Sequence, residues 1–495
     1  MKVFWTWLLL SVCCVANLAS AQPPPVYVTL WFDTEDYILP QSDDAAKRLA
    51  EMLTRLGIKA TFKVVGEKAR VLEQRGRQDV IAALKKHEIG YHSNLHSQHP
   101  TPAEYLQNAD WDEGVATFYR REVQGVKDIQ RIFGQTPSCY GQPGSSWGPQ
   151  SYPALQQLGI NVYLDEADHV GIDEQPFYYG GLLNIFKMRS NVVRMDLFGE
   201  DNLAKGKAKF LAAYEKLKAK GGGTISIYYH PCEWVHREFW DGVNFSRGAN
   251  PPRSEWKLPR TRTSEETDNA FRDFEAYVKF IKAQQGVQYV TANELKLLYE
   301  DQAKKKSFSK PEVELIAQAV QTGISFVRMN GYTLSAADTF SILQEALRNL
   351  LYDDSFPLPR MEALLGPVKP PEKAVPSSAL QPIPFASFKQ VVEEVSSQLA
   401  TTKRIPEAVK IGSASISPAD YLATLGEVLL QVMKPGHLPR AVAIRNGKFT
   451  ADKYVADDDP KIFNWVIHPE GFHAPKLMQL AKLQAWTLKP AILKK

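Results

Sequence analysis

The stretch Val26 to Phe32 reads VYVTLWF and runs directly into Asp33-Thr34-Glu35-Asp36. A β-branched and aromatic run that stops at a cluster of carboxylates predicts a buried strand with acidic groups at its carboxyl end. Asp43 to Leu56 follows with apolar residues at helical spacing, and Lys59 to Val65 (KATFKVV) reads as a second strand. Short strands are expected at Ile89 to Tyr91, Pro137 to Gly141, Asn161 to Leu164 and Thr224 to Tyr229. The series ends with a helix near Glu266 to Ala283, a strand from Val287 to Thr291 and a short helix from Asn293. Such alternation predicts an α/β fold with a parallel sheet or barrel, in which chemistry gathers at the carboxyl ends of strands.

The chain has 495 residues, 44% hydrophobic and 23% charged, which suits two or three globular domains and excludes a disordered or fibrous protein. Its net charge of +4 is too small for an electrostatic nucleic-acid binder. Met1 to Ala21 reads as a secretory signal: Lys2, an apolar run from Val3 to Val15, and Ala19-Ser20-Ala21 as the cleavage site. Its apolar run is shorter than the roughly 20 residues of a membrane span, so no stable span is expected. The mature protein is expected to be secreted or periplasmic. Two cysteines, Cys139 and Cys232, then remain, either as one disulfide or as two buried thiols.

Three segments follow the α/β domain, which is drawn over residues 22–305. Val327 to Leu347 aligns without gaps to Val409 to Leu429, matching Ser335 with Ser417 and Asp338 with Asp420. Each copy reads as a strand-like edge followed by a helix opened by a serine cap. A first repeat module is drawn over 306–356, a proline-rich linker over 357–384, and a second module with a degenerate end over 385–495. Duplicated modules on an exported protein can contact cell wall or polysaccharide, or simply pack together.

His92-Ser93-Asn94-Leu95-His96 places two imidazoles four residues apart, on one face if the segment is a helical turn. With a carboxylate such as the acidic stretch Asp33-Thr34-Glu35-Asp36 offers, they make a three-ligand site with room for water, as catalytic zinc uses. A further carboxylate could take a proton from that water, and His230, at the end of the strand ISIYY, could donate one to a leaving group.

These motifs together resemble the NodB-homology polysaccharide deacetylases, carbohydrate esterase family 4. The likeness covers roughly Val26 to Tyr299 and rests on LWFDTEDY, on GIKATFKVVGE from Gly57, on EIGYHSNLH from Glu88 and on YYHPCEW from Tyr228. It implies a distorted (β/α) barrel of about seven strands, followed here by a mostly helical C-terminal region. It also implies Asp33 as general base, His230 as general acid, and His92 and His96 as metal ligands. Glu35 or Asp36 would complete the ligand set, for a divalent metal that is zinc first, with cobalt or nickel also suited. The implied reaction is hydrolysis of an acetyl group on an N-acetylated or O-acetylated glycan by metal-activated water.

One departure concerns the third family motif, R-x-P, whose arginine commonly orients the base. Here Gly141 stands in the arginine's place and Gln142 is the nearest polar side chain. The Gly144 backbone N–H falls where the family's oxyanion donor would be, and Trp234 joins Gly144 and Gln142 as a substrate-binding candidate. The loop from Trp234 to about Thr263 also carries Phe239, Trp240, Phe245 and Trp256, expected to pin the loop with one or two lining the cleft. Two other functions fit the sequence: an amide or imide hydrolase of the same fold acting on a non-sugar substrate, and a non-catalytic glycan-binding protein.

Overall fold

The computed structural model describes residues 23–352, 356–358, 361–434 and 438–494. The stretch Met1 to Ala21, expected to be a signal, lies outside them. Strand β1, Val26–Thr34, is the axis of the fold. Eight of its nine residues are buried, which its apolar and aromatic composition favours. On one side β1 runs parallel to β7, Gly223–Tyr229, in register from Val26 with Gly223 to Phe32 with Tyr229. On the other it pairs in parallel with β2, Thr61–Val64, through its carboxyl half, and with β8, Val287–Val290, through its amino half.

Strand β3, Glu88–Tyr91, continues in parallel from β2. Tyr140 then bridges Tyr91 on one side and Tyr163 on the other, carrying the sheet to β4, Val162–Leu164. β4 is parallel to β6, Leu182–Ile185, which pairs antiparallel with β5, Phe177–Tyr179. A bridge from Val192 to Ser226 on β7 brings the chain back to the start. The result is a distorted α/β barrel with helices such as Gln41–Arg55, Trp111–Phe133 and Ser264–Lys282 outside it. The expected strand at Pro137 to Gly141 is reduced to the Tyr140 bridge.

Each repeat begins with a hairpin rather than a single edge: Val327–Met329 with Tyr332–Leu334, and Val409–Ile411 with Ala414–Ile416. The helices Ala336–Tyr352 and Pro418–Val432 follow. The matched serines cap them, Ser335 Oγ and Ser417 Oγ each accepting from the N–H of Asp338 or Asp420 at 3.0 Å. The copies pack on each other through Tyr421, whose hydroxyl donates to Gln344 Oε1 at 2.7 Å. The proline-rich stretch is also docked: Leu365 bridges Arg404, and Gly366 N–H donates to Gln484 Oε1 at 3.0 Å.

The chain does not leave the barrel at residue 305. Phe463, Leu477, Ala481 and Leu488 are buried in the barrel's own core, and Lys489–Pro490 pairs antiparallel with β5. Lys489 then joins barrel to repeat, its ammonium lying 2.7 Å from Asp301 and 2.8 Å from Asp338. A boundary read from sequence order missed this because the returning segment completes a sheet whose other strands lie some 300 residues earlier. Among the described residues, no helix is long and apolar enough to cross a membrane.

Candidate active site

The carboxyl ends of β1, β3 and β7 converge on a cavity of about 580 Å³. Glu35 Oε2 lies 2.9 Å from His96 Nε2 and 3.4 Å from His92 Nε2, and the two imidazole nitrogens are 3.2 Å apart. All three side chains are buried. Two imidazole nitrogens and one carboxylate oxygen at these separations fit a divalent metal and leave a coordination position on the cavity side. Surrounding groups fix the donors. His92 Nδ1 donates to the Gly141 carbonyl at 3.0 Å, which leaves Nε2 as the free lone pair, and Trp240 Nε1 donates to Glu35 Oε1 at 3.0 Å. His96 Nδ1 lies 2.6 Å from Ser97 Oγ. Burial pulls the His92 pKa below its ordinary value, favouring the neutral ligand form. Burial would raise Glu35, but the His96 and His230 imidazoles beside it outweigh that and hold the carboxyl well below its usual range.

The two imidazoles do not meet on a helical turn. Residues 92–96 form an irregular loop in which Ser93 (φ 63°) and His96 (φ 54°) adopt left-handed backbone. Asp36 faces away from the cluster. Its Oδ1 accepts from the N–H groups of Ile38 (2.8 Å) and Leu39 (3.1 Å), and its Oδ2 lies 3.2 Å from His236 Nε2. Those partners use the carboxylate's lone pairs in a turn, so of the two acidic candidates only Glu35 points at the imidazoles.

Asp33 and His230 flank the cluster. His230 Nε2 is 3.7 Å from Asp33 Oδ2 and 3.9 Å from Glu35 Oε2. Its other nitrogen, Nδ1, lies 2.6 Å from Glu233 Oε1, and Glu233 is in turn ion-paired with Arg194. Burial disfavours the imidazolium, yet the Glu35 and Glu233 carboxylates more than offset it and lift the His230 pKa to about 9. Near neutral pH this favours the protonated ring, whose Nε2 faces Asp33 and Glu35.

Asp33 has a partner that the sequence did not reveal. The Lys63 ammonium, fully buried on β2, lies 2.9 Å from Asp33 Oδ1 and 2.7 Å from Asp165 Oδ2, and it donates to the Leu164 carbonyl at 2.8 Å. Burial opposes the ammonium charge, but the Asp165 and Asp33 carboxylates outweigh it and hold its pKa above the ordinary lysine value. Asp33, His92 and Asp165 also bring donor atoms together. There the lysine already supplies the positive charge between the two carboxylates.

Gln142 and Gly144 line the cavity, with Gln142 Nε2 donating to the Gly144 carbonyl at 3.2 Å. Trp234 does not line it. Its side chain is fully buried among Phe32, Tyr229, Phe271 and Phe274, because the short helical turn Pro231–Trp234 points it into the core. Of the loop aromatics, Phe239 reaches the cavity, and Trp240 and Phe245 are buried. Cys139 and Cys232 are both free and buried in separate apolar clusters, so no disulfide braces the loops. Glu166, Asp168, Arg189, Lys461 and Trp465 also line the cavity, none of them marked by a motif.

Residues 20–163 match the family model described as polysaccharide deacetylase. That segment carries Asp33, Glu35, Lys63, His92, His96 and the Gly141–Gly144 turn, so the family read from the motifs is shown for the part of the chain that builds the cluster. Comparison with curated proteins gives no match in sequence. Among solved structures, the chain is similar to a Mycobacterium smegmatis protein assigned as a polysaccharide deacetylase, at 16% identity and a TM-score of 0.36 over 56% of this chain and 92% of the other. It is similar to a mutant of the peptidoglycan deacetylase PdaC from Bacillus subtilis, at 16% identity and a TM-score of 0.28 over 56% and 93%. The allantoinase Puue is similar at 11% identity and a TM-score of 0.36 over 59% and 98%.

Proposed function

We propose that this protein is a metal-dependent hydrolase that removes acetyl groups from an N-acetylated or O-acetylated glycan after export from the cytoplasm. The observation that carries the reading is the convergence of Glu35, His92 and His96 between Asp33 and His230 in one cavity. Glu35, His92 and His96 would hold a divalent metal, zinc first among the candidates, which when bound polarises a carbonyl and lowers the pKa of water. Asp33, fixed by Lys63 through Oδ1, accepts the proton of the attacking water at Oδ2. His230, oriented by Glu233 at Nδ1, delivers its Nε2 proton to the leaving amine or alcohol. Gln142 and the Gly144 backbone border the space where the carbonyl oxygen gains charge.

The test is acetate release by the full chain from N-acetylglucosamine oligomers, acetylated polysaccharide and peptidoglycan fragments, with and without added zinc. Zinc-dependent release supports the reading. Zinc bound without release from any of these sends the site to a non-sugar amide or a binding role.

A further inference from the structure

A wall of the catalytic cavity comes from the far end of the chain. Trp465 lies on Gly144 so closely that a Cβ added there would fall 2.2 Å from the indole. The Trp465 N–H donates to Ser145 Oγ at 3.0 Å, and its indole Nε1 donates to Asp241 Oδ2 at 2.8 Å. Its ring meets that of His96 nearly edge-on, with centroids 5.2 Å apart. The indole N–H is therefore already used, and what Trp465 offers the cavity is aromatic surface beside a metal-ligand candidate.

This wall is anchored on both sides. Phe463 is buried against His169 and Phe472, with ring centroids 5.0 and 5.3 Å apart. The carbonyls of Val466 and Ile467 accept from the N–H groups of Arg247 (3.1 Å) and Gly248 (2.7 Å). Phe239 stands on the His230 side of the same cavity, its ring edge-on to that imidazole at 5.1 Å. The reacting position is thus set between two aromatic side chains, in a space within the range of about 300–1,000 Å³ typical of small-ligand sites.

We propose that Trp465 is a substrate-binding residue, and that the strap Lys461 to Val466 makes the site select glycan ends and short oligomers over positions inside a long chain. The proposal rests on the deacetylase reading for its substrate. A pyranose ring presents a face of C–H groups that packs on an indole, and a wall beside the reacting position blocks the path a continuing polymer would take.

The experiment uses the full-length protein loaded with zinc, with Trp465→Ala and Trp465→Phe variants. Acetate release is measured on N-acetylglucosamine pentamer and on a long soluble N-acetylglucosamine polymer. Tryptophan fluorescence is titrated with the pentamer in His230→Ala and in the His230→Ala/Trp465→Ala double variant. Trp465→Ala is expected to raise the pentamer KM about tenfold with a much smaller change in kcat, and to raise the polymer-to-pentamer rate ratio. Trp465→Phe should recover part of the KM, and the saturable fluorescence change of His230→Ala should vanish in the double variant. Active wild type with an unchanged KM in Trp465→Ala, or a fluorescence change that survives in the double variant, overturns the proposal and leaves the deacetylase reading in place. Trp465-dependent binding of the pentamer without acetate release from any substrate keeps Trp465 as a glycan-binding residue and overturns the deacetylase. Absence of both release and binding overturns both.

Discussion

The ammonium of Lys63 occupies the space that any side chain at position 141 would need: a Cβ on Gly141 would fall 1.9 Å from Lys63 Nζ and 2.2 Å from Asp165 Oδ2. Gly141 has ordinary backbone, so its role is to leave room. The arginine missing from the third motif and the lysine on β2 are therefore one arrangement, in which a cation reaches Asp33 from a neighbouring strand.

Removing that cation leaves Asp33 and Asp165 as two buried carboxylates without the ammonium that sits between them. Lys63→Met is expected to lower stability by about 3–5 kcal/mol, the usual cost of breaking a buried pair, and to remove activity in the fraction that folds. Gly141→Ala should damage activity comparably, since its Cβ must displace the ammonium. Denaturant unfolding together with acetate release checks both. Unchanged activity in either variant would remove Lys63 from the account.

Trp240 holds Glu35 by a single hydrogen bond at 3.0 Å. Trp240→Phe keeps most of the packing and loses the donor, so zinc affinity should fall by about 10–100-fold, as for other supporting groups behind metal ligands. His92→Ala/His96→Ala should retain no zinc at all. Competition with a chromophoric chelator reads both, and zinc retained by the double variant would refute the ligand set.

Two imidazoles, His169 and His468, are buried beside the strap. His169 stacks on Trp147 at 4.9 Å and His468 on Phe472 at 4.6 Å. Burial lowers their pKa values to about 3 and about 4. The unfolded chain binds these protons near pH 6.5, so the stability is fully present above that pH and declines as the pH falls toward the folded values. Each group should remove up to about 1.4 kcal/mol per pH unit below about 6. Melting curves between pH 7 and pH 5 should show this loss, and His169→Phe or His468→Phe should flatten it. Equal slopes in wild type and variants would contradict the assignment.

A chain ending at Lys305 lacks the strand beside β5 and the residues that fill the barrel core from Ala451 onward. Such a truncation is expected to lose cooperative melting and activity together, whereas the full chain melts as one unit through at least the barrel and strap. Cooperative unfolding of the truncated chain would show that the returning segment is dispensable.

The parts of the site carried by short motifs were legible in sequence. D-T-E-D at a strand end, two histidines four apart and His230 after an apolar strand each mark a position where side chains leave the barrel's carboxyl face. What stayed hidden depends on contacts between distant residues. Lys63 reads as one polar residue in an ordinary strand until Asp33, Asp165 and Gly141 are placed around it. Trp465 lies 369 positions beyond His96, in a segment with no motif. The D-x-[DE] pattern favours Glu35 yet leaves Asp36 open, because the side chain that holds Asp36 away, His236, lies 200 residues on. Trp234 stood beside a catalytic motif, but the turn that follows His230 rotates it into the core. The spacing of His92 and His96 suits a helical turn, but a loop with two left-handed residues brings them together instead.

In the proposed reaction Asp33 takes the proton of the attacking water and His230 gives its own to the leaving group, beside a divalent metal that Glu35, His92 and His96 would hold. The most direct measurement pairs bound zinc with acetate release in wild type and His230→Ala. The account predicts one zinc per chain in both proteins, and release slower by about 10²–10⁴-fold in the variant. Release at the wild-type rate by a zinc-loaded His230→Ala protein would contradict it.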